Sequence, residues 1–327
     1  ESPEGIGRSA VMRTIRQSME KIAPPASRVL INGPSGSGKE LAARTIHSQS
    51  DRRQEQFVVA NCARLSTERV DAELFGAESL QSHRRIVGLF EQAHRGTLYF
   101  DEICDLPLET QGKIVRAVNE QRFRRVGGNS EVVVDVRVIS ASSCDLSSAI
   151  SDGRLREDLY YRLGVVPLSM PSLAHRREDI PVLAKYFTNR IAKHFGVKPI
   201  RISDEIFAAM QGYDWPGNLR QMHNVIETLL IMAPDDRSQS VGLDLLPAEI
   251  QNISRQGTNS DMEQLMALPL RGAREGFERE YLKTQLHRFN GNISRMAAFV
   301  RMERSALHRK MKSLDIATDL QDEGKKT

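Results

Sequence analysis

The residues with the clearest chemical potential form a glycine-rich segment near the N-terminus. The letters GPSGSGKE place Gly33, Gly38 and Lys39 at the spacing G-x-x-x-x-G-K, between the strand-like run RVLIN and the helical pattern ELAARTIH. Glycines let backbone N–H groups turn around an anion, the following helix presents its positive end, and the lysine can reach the outer phosphates. The sequence therefore predicts a site for ATP or ADP formed by Gly33, Pro34, Ser35, Gly36, Ser37, Gly38, Lys39 and Glu40.

An acidic pair further along the chain complements this segment. Asp101 and Glu102 end the apolar run GTLYF, which would place them at the carboxyl edge of a sheet, beside the phosphates. Asp101 is the predicted Mg²⁺ ligand, and Glu102 is the predicted base that orients the attacking water. Because Glu40 stands where a Ser or Thr usually supplies a hydroxyl ligand, the ion would rely on phosphate oxygens, water and Asp101. Taken alone, the pair is equally compatible with a solvated strand end.

The patterns that surround these residues predict how they are positioned. Strand-like and helical runs alternate over residues 29–142, which indicates a parallel sheet with helices on both faces. The predicted strands are RVLING, QFVVANCA, GTLYF and VVVDVRVIS. From about Leu173 the strand signal stops and three helical patterns follow, the second with Ser203 as a predicted cap. Residues 251–261 have the composition of a linker, and residues 273–314 contain three short helical patterns.

The C-terminal segment carries a local excess of positive charge. From Arg271 to Leu314, eleven Lys or Arg residues stand against four Glu, whereas the whole chain has a formal net charge of +4. Its last helical pattern has Leu307, Met311 and Leu314 as an inner stripe. A short helix, a brief turn and a basic second helix form the helix-turn-helix plan, whose second helix enters the major groove. The predicted contacts with double-stranded DNA are Arg304, Ser305, His308, Arg309 and Lys312.

The first two helices of that segment complete a small helical domain. Phe277, Tyr281, Leu282 and Leu286 are predicted to share one side of the first helix, and Asn292 is a predicted cap of the second. A monomeric contact with DNA would be weak, so we expect a dimer that reads a palindromic operator. A small dimerisation bundle with a solvated basic face remains an alternative to groove binding.

The motifs taken together resemble a known family. The phosphate loop and acidic pair, with five further segments, are similar to the AAA+ ATPase domain of bacterial enhancer-binding proteins, the activators of sigma-54 RNA polymerase. These segments are ELFG, GLFEQAHRGTLYFDEI, GRLREDLYYRL, REDIP and WPGNLRQMHNVIE. The resemblance runs from about Gly7 to Pro247, and residues 273–316 resemble a Fis-type helix-turn-helix. Departures from the family pattern favour the NtrX-like branch of nitrogen-regulatory response regulators.

This resemblance implies an AAA+ P-loop NTPase fold followed by an all-α DNA-binding domain. We expect an α/β ATP-binding subdomain over residues 1–171 and a helical lid over 172–247. A linker is expected over 248–272, and the helix-turn-helix domain over 273–327. Because the chain begins at Glu1 rather than Met, we also expect a receiver domain upstream, through which a sensor kinase would act.

The resemblance also implies roles for four residues outside the phosphate loop and the acidic pair. Asn61 matches an asparagine that holds the catalytic glutamate, and Arg220 matches a lid arginine that senses nucleotide. Arg156 and Arg162 match arginine fingers supplied to the neighbouring subunit, which implies a homo-oligomeric ring or at least a dimer. On a helix, both arginines would flank an apolar stripe of Leu155, Leu159 and Leu163. A polar strand end for Asn61 and a solvated salt-bridging face for the arginines remain open.

Several positions depart from the family pattern. Ser143 stands at the sensor position, usually Asn, and Ala174 stands where the family usually has Arg. After ELFG the chain reads AESLQSHRRIVGLFE, which lacks the Gly-Ala-Phe-Thr-Gly-Ala loop that contacts the sigma factor. We therefore expect that the protein does not remodel sigma-54 polymerase in the usual way and that any ATP hydrolysis is slow. Binding of another partner by residues 80–85 remains an alternative.

The predicted function is that of a DNA-binding transcription regulator of a two-component system, in which nucleotide mainly sets the oligomeric state. The alternatives are an active sigma-54-dependent activator and another AAA+ ATPase that remodels a protein partner. RNA polymerase is an expected partner in the first two cases. The sequence contains no apolar run of membrane-spanning length, and we expect a cytoplasmic protein. Three scattered cysteines, Cys62, Cys104 and Cys144, are expected to be buried reduced thiols.

Overall fold

The computed structural model describes residues 7–79, 84–234, 240–251 and 269–316. The described chain divides into two compact units. The first contains residues 10–172, and the second contains residues 7–9 and everything from residue 173 onward. None of the helices in these parts of the chain is both long and apolar enough to cross a membrane.

The first unit is an α/β structure. Its α-helices are Ala10–Ile22 (α1), Lys39–Ser48 (α2), Val70–Phe75 (α3), Leu89–Gln92 (α4), Leu108–Glu120 (α5), Leu146–Ser151 (α6) and Glu157–Leu163 (α7). Its strands are Val29–Asn32 (β1), Phe57–Asn61 (β2), Ala77–Glu78 (β3), Arg85–Ile86 (β4), Thr97–Asp101 (β5), Arg122–Arg124 (β6), Glu131–Val133 (β7), Arg137–Ser142 (β8) and Val166–Ser169 (β9). Two 3₁₀ turns follow β2 and β5, at Cys62–Arg64 and Ile103–Asp105.

Five of these strands form one parallel sheet in the order β2-β5-β8-β1-β9. Successive side chains of a strand point to opposite faces, and in β5 they enter two different cores. Leu98 and Phe100 pack in one cluster with Ile114 of α5, whereas Tyr99 packs in the other with Ile46 of α2. Helices therefore cover both faces, and the predicted α/β fold class is confirmed.

Two short hairpins lie outside this sheet, and one of them corrects a predicted strand. The run VVVDVRVIS was expected to be a single strand, but it divides between β7 and β8. β7 pairs antiparallel with β6, while β8 enters the parallel sheet. The backbone turns at Asp135 between them, where its carbonyl accepts hydrogen bonds from Arg95 N and from the Arg52 guanidinium. A change of pairing partner therefore ends one strand and starts the next.

The second unit is almost entirely helical. Its α-helices are Ile180–Phe195 (α8), Asp204–Gly212 (α9), Asn218–Met232 (α10), Leu270–Arg288 (α11), Ile293–Val300 (α12) and Arg304–Ser313 (α13). Two 3₁₀ segments, Leu173–Asp179 and Leu243–Leu245, and a parallel two-stranded ladder of Arg201–Ile202 (β10) with Ser240–Val241 (β11) complete it. Ser203 caps α9 by accepting a hydrogen bond from Ile206 N, as predicted.

The last three helices enclose a core of their own. The predicted inner stripe is confirmed, since Leu307, Met311 and Leu314 are all buried. The first helix of this segment, α11, begins at Leu270 and is nineteen residues long, so it is longer than the short helical pattern that was expected. The predicted stripe of α11 is also only partly right. Leu282 and Leu286 are buried, whereas Phe277 and Tyr281 are exposed, because the buried residues of this core belong to the C-terminal half of the helix.

A polar contact joins this small domain to the helical lid within the second unit. Asn290 uses both ends of its amide: Nδ2 donates to the carbonyl oxygen of Ala174 at 2.9 Å, and Oδ1 accepts from Arg177 N at 2.8 Å. Arg295 forms an ion pair with Glu178 at 2.9 Å. The stretch 251–261, predicted as a linker, lies outside the described residues apart from residue 251.

The buried side chain of Arg137 anchors the end of α1 in the first unit. Arg137 is 2% exposed and donates to the carbonyl oxygens of Ala23 at 2.7 Å, Ile22 at 2.8 Å and Ser27 at 3.3 Å. Ile22 is the last residue of α1 and Ala23 follows it, and carbonyls at this end of a helix lack intrahelical donors. One side chain on β8 therefore supplies the donors that the C-terminal end of α1 lacks.

Replacing Arg137 with Met should lower the free energy of unfolding by about 2 kcal/mol, because buried carbonyl groups lose a charged donor. Urea unfolding followed by circular dichroism measures the change. Arg122→Met is the matched control, since Arg122 is 52% exposed in its ion pairs and should contribute less than about 1 kcal/mol. Equal effects of the two substitutions would contradict this role for Arg137.

Candidate functional site

The phosphate loop connects β1 to α2 in a conformation that glycine makes possible. Gly36 and Gly38 have φ angles of 73° and 102°, in the left-handed region. A Cβ atom on Gly33 would lie 2.7 Å from the carbonyl oxygen of Met170, so that position has no room for a side chain. Gly38 is the N-cap of α2 and provides no side-chain cap. The first N–H groups of α2 are therefore available to an anion.

Lys39 is buried at the centre of the loop. Its side chain is 5% exposed, and its ammonium group donates to Gly33 O at 2.9 Å and to Ser143 Oγ at 2.5 Å. It also forms an ion pair with Glu102 at 3.3 Å. The Ser37 hydroxyl is fully buried and has no hydrogen-bond partner among the described residues. A buried donor without a protein partner fits a loop that accommodates oxyanion ligands.

The acidic pair lies where the sequence placed it, at the carboxyl end of β5. The Tyr99 hydroxyl donates to Asp101 Oδ1 at 3.1 Å. Burial raises the pKa of Asp101 above its ordinary value, and the nearby charges of Glu102 and Glu40 raise it further. Asn61 ends the neighbouring strand β2 and is the register partner of Asp101. The carboxyl edge of the sheet therefore collects the phosphate loop, Asp101, Glu102 and Asn61.

Ser143 links the acidic pair to the lysine, a connection that was not predicted. The Glu102 carboxylate accepts a hydrogen bond from Ser143 N at 2.8 Å and another from Ser143 Oγ. The same hydroxyl is the one that Lys39 contacts. A serine was expected to be short for contact with a γ-phosphate, yet it is long enough to contact both Lys39 and Glu102. In the sheet β8 lies between β5 and β1. Ser143, which follows β8, is therefore beside both Glu102 after β5 and the phosphate loop after β1.

The Tyr99–Asp101 contact was also missed, although the sequence contains a signal for it. Residues i and i+2 of a strand lie on the same face, so a tyrosine two residues before the acidic position is placed beside it. The tyrosine ring is fully buried and holds one oxygen of Asp101 in place.

The two predicted arginine fingers lie near α7, but not as expected. The leucine stripe is buried, with Leu155, Leu159 and Leu163 no more than 3% exposed. Arg156 was predicted on a helix, whereas α7 begins at Glu157 and Arg156 occupies the N-cap position with extended backbone. Its guanidinium pairs with Asp158 at 2.9 Å, a carboxylate in the first turn of the helix. This prediction of helical geometry is wrong because the chain is extended at Arg156.

All three predicted arginines are exposed. Arg162 lies in the last turn of α7, and Arg220 lies in the first turns of α10 in the second unit. Arg220 has no ion pair with any residue that the structure describes. Exposure leaves these side chains accessible to another molecule, and their contacts with nucleotide stay predictions.

The stretch without the Gly-Ala-Phe-Thr-Gly-Ala sequence starts and ends in the hairpin of β3 and β4. Ala77 pairs with Ile86, and Glu78 pairs with Arg85. Arg85 forms an ion pair with Glu91 at 2.6 Å, and Glu91 is also paired with the buried Arg125 at 2.6 Å. The base of the hairpin is therefore attached to the first unit by charge pairs. Residues 80–83, which include most of the segment considered for another partner, lie outside the described residues.

The predicted DNA-binding residues occupy the exposed side of α13. Arg304, Ser305, His308, Arg309 and Lys312 are all exposed. Within the described chain, none of Arg304, Arg309 and Lys312 has an ion-pair partner, whereas the neighbouring Lys310 is neutralised by Glu278 at 2.7 Å. Arg301 lies in the turn before α13 with a φ of 55°, in the left-handed region. The helix therefore presents unpaired positive charge on the side opposite its core.

The fold and the site geometry define an AAA+ domain with a helix-turn-helix domain. Comparisons with known families agree. Residues 5–169 match the sigma-54 interaction domain, residues 174–263 match the AAA+ ATPase lid domain, and residues 273–314 match the bacterial regulatory protein Fis family. The chain belongs to the sigma-54 interaction domain family, on its NtrX-like branch.

Relatives and solved structures support that placement. The chain is 49% identical over 312 residues to the nitrogen assimilation regulatory protein NtrX of Azorhizobium caulinodans, covering 95% of this chain and 69% of the relative. It is 41% identical to a putative NtrX-like response regulator of Rickettsia felis, covering 96% of this chain and 66% of the relative. Crystal structures of NtrX from Brucella abortus with ADP and with ATP each give 50% identity and a TM-score of 0.79, covering 95% of this chain and 69% of theirs.

Replacing Asp101 with Asn should stabilise the nucleotide-free protein at neutral pH. A carboxyl group with a raised pKa in the folded state favours folding below its ordinary pKa, and that contribution is lost as the pH rises through the raised value. The gain from Asn should therefore be largest well above the raised pKa and should shrink as the pH approaches the ordinary value of about 4. Thermal unfolding of both proteins across this range measures it.

Asp152→Asn provides the control, because Asp152 is exposed at the surface in a pair with Arg154. It should give no comparable gain at any pH. A decrease in stability of Asp101→Asn at neutral pH, or a gain that grows on acidification, would mean that burial does not penalise the Asp101 carboxylate.

Proposed function

We propose that this chain binds ATP or ADP with Mg²⁺ at the carboxyl edge of the sheet and regulates transcription by binding operator DNA. The observation that carries the proposal is the buried Lys39 ammonium group, held between the phosphate loop and Glu102. The NtrX of Brucella abortus, at 50% identity, has been crystallised with ADP and with ATP. We assign the same ligands to the loop of this chain, residues 33–40.

In this proposal the residues at the carboxyl edge of the sheet each contact a different part of the nucleotide or its metal ion. When a nucleotide binds, the Lys39 ammonium group gives up its hydrogen bonds to loop carbonyl oxygens and donates to phosphate oxygens, whose negative charge it neutralises. Asp101 supplies the carboxylate for Mg²⁺, and because Glu40 offers no hydroxyl, phosphate oxygens and water complete the shell. The ion supplies charge neutralisation on the phosphates when it is bound. Asn61, the register partner of Asp101, would hold Glu102, and Arg220 of the lid would sense the nucleotide.

ATP hydrolysis by this site would be slow. Glu102 must accept a proton from water or orient it, yet its carboxylate is engaged by the N–H and hydroxyl of Ser143 and by Lys39. Carboxylate oxygens that already accept these contacts have fewer free lone pairs with which to orient a water. Arg156 and Arg162, both exposed, would complete the site of a neighbouring subunit in a ring, so turnover would also depend on assembly.

The DNA-binding side of the proposal assigns the operator contacts to α13 and the dimer contact to α11. Leu270, Phe277 and Tyr281 are 87%, 51% and 38% exposed on α11, and the two rings stack with centroids 6.1 Å apart. Large apolar groups exposed together mark an interaction surface. A dimer formed through this face would present two α13 helices to the half-sites of a palindromic operator.

We propose that a sensor kinase controls this activity through a receiver domain, and that nucleotide sets the oligomeric state of the regulator in the cytoplasm. The chain spans 66–69% of the length of its NtrX-type relatives. The missing Gly-Ala-Phe-Thr-Gly-Ala sequence argues against action on sigma-54 polymerase. An active sigma-54 activator or another AAA+ remodelling ATPase is the second candidate, favoured by the intact Lys39, Asp101 and Glu102.

Substituting Lys39 with Ala should weaken ATP and ADP binding at least about tenfold, because a charge-assisted contact with the phosphates is lost. Isothermal titration calorimetry with Mg²⁺ present measures both affinities. Lys113→Ala is the control, an exposed lysine paired with Asp71, and should bind nucleotide like the parent. Equal affinity of Lys39→Ala and parent would refute the site. ATP-dependent open-complex formation by sigma-54 polymerase that is lost in Lys39→Ala would favour the second candidate.

Arg309 and Lys310 provide a matched pair for testing the DNA surface. Arg309→Ala should weaken operator binding roughly tenfold and lower the salt slope by about one, because an unpaired charge on the groove side is removed. Lys310→Ala should change affinity less than about twofold, since Glu278 already neutralises that lysine. Fluorescence anisotropy with operator DNA over a range of salt concentrations measures both. A stronger effect of Lys310→Ala than of Arg309→Ala would place the DNA on another face.

A further inference from the structure

Two cysteines meet beside the proposed nucleotide site. Cys104 and Cys144 are forty residues apart in sequence, yet their Sγ atoms are 2.7 Å apart. Both are free thiols and both are partly exposed, whereas Cys62 is buried. The expectation of three buried thiols is therefore correct only for Cys62. A pair that is close and reachable can undergo chemistry that a buried single thiol cannot.

The scaffold, rather than a flexible loop, brings the two thiols together. Cys104 lies in the 3₁₀ turn Ile103–Asp105 that follows β5, and Cys144 lies just after the end of β8. These strands are neighbours in the parallel sheet, so their carboxyl ends are held side by side. The Ser142 hydroxyl contacts both sulfur atoms, at 3.0 Å from Cys144 and 3.4 Å from Cys104. A disulfide bond of about 2.05 Å needs an approach of only about 0.7 Å.

We propose that Cys104 and Cys144 form a reversible disulfide, and that this disulfide weakens nucleotide binding at the adjacent loop. The second half of the proposal rests on the nucleotide site proposed above, and the first half does not. The substrate class of this modification site is a small-molecule disulfide such as oxidised glutathione. In proteins of reducing compartments, disulfides of this kind are transient and redox-sensing.

The reaction balances with one molecule of the oxidant. The Cys144 thiolate attacks one sulfur of the oxidised glutathione, whose S–S bond breaks and releases one reduced glutathione after protonation. Burial, together with the hydrogen bond to Cys144, raises the pKa of Cys104 to about 12, so Cys104 is the second thiol to react. Cys104 loses its proton and attacks Cys144 in the mixed disulfide, releasing the second reduced glutathione. The cysteine pair loses two electrons and the oxidant gains two.

The position of the pair connects it to the phosphate-binding lysine. Cys104 lies two residues after Glu102, and Cys144 directly follows Ser143. Glu102 and Ser143 are hydrogen-bonded to each other, and both contact Lys39. A disulfide bond between Cys104 and Cys144 would keep Glu102 and Ser143 in contact with Lys39. Phosphate binding would then have to compete with a fixed carboxylate and hydroxyl for the same ammonium group, so the oxidised protein should bind nucleotide more weakly.

The first measurement follows the thiols of the full 327-residue chain. The reduced protein is equilibrated in glutathione buffers of increasing oxidised fraction, alkylated, and digested for mass spectrometry. Cys104 and Cys144 should lose their alkylation together and appear in one cross-linked peptide, and dithiothreitol should restore both. Cys62 should stay unreactive in the folded protein. Only single glutathione adducts, or free thiols at every ratio, would overturn the proposal.

The second measurement is the affinity of reduced and oxidised protein for a fluorescent ATP analogue. Oxidation should weaken binding at least about fivefold, the lower end of the usual coupling between two sites. By reciprocity, saturating ATP should make the pair harder to oxidise by the same factor, which is about 20 mV for a two-electron couple. Equal affinity of the two forms would overturn the regulatory half. A reduced protein that binds no nucleotide would instead refute the proposed function, while the thiol measurement would stand.

Single substitutions separate the disulfide from general damage by oxidant. Cys104→Ser and Cys144→Ser should each retain the affinity of the reduced parent and lose the response to oxidised glutathione. Cys62→Ala is the matched control, since it removes a thiol that lies outside the pair, and it should keep the full response. A response that persists in both serine variants would show that another group is responsible.

Discussion

The burial of the Lys39 ammonium group is the constraint on which the nucleotide site depends. The charge of a lysine whose side chain is 5% exposed must be neutralised and hydrogen-bonded, because an unpaired buried charge costs several kcal/mol. Its partners come from three places in the chain: the loop after β1, Glu102 after β5 and Ser143 after β8. The strand order β5-β8-β1 is what brings these three ends together. The order of strands in the sheet therefore brings Lys39 and Glu102 together as an ion pair.

The sequence predicted those parts that depend on local pattern. Alternating apolar runs predicted the parallel sheet, and glycine spacing predicted the phosphate loop, in which Gly36 and Gly38 are left-handed. The hydrogen bonds of Ser143 to Glu102 could not be predicted in the same way, because they depend on β8 lying between β5 and β1. The contact of Tyr99 with Asp101 was accessible, since it needs only the two-residue period of a strand. The first contact depends on the order of strands in the sheet, which the sequence does not show directly, whereas the second depends only on neighbours within one strand.

Errors at the ends of elements have local physical causes. Periodicity placed Arg156 on a helix because Leu155 continues the buried stripe of Leu159 and Leu163. A stripe shows which side chains face a core, and the buried Leu155 stands before the extended N-cap residue Arg156, outside the helix. The same limit applies to α11, where Phe277 and Tyr281 continue an apolar pattern beyond the residues that the small core covers. Apolar residues outside a core then become a surface for another chain.

The polar junction in the second unit joins the domain that carries α13 to the helical lid. Asn290 fills both hydrogen-bonding capacities of its amide with backbone groups of Ala174 and Arg177, and Arg295 adds an ion pair to Glu178. These contacts fix the helix-turn-helix domain to the helical lid instead of leaving it on a free tether. A movement of the lid therefore carries α13 with it. The recognition helix is thus attached to the lid by backbone hydrogen bonds and an ion pair, in addition to the chain that connects the two domains.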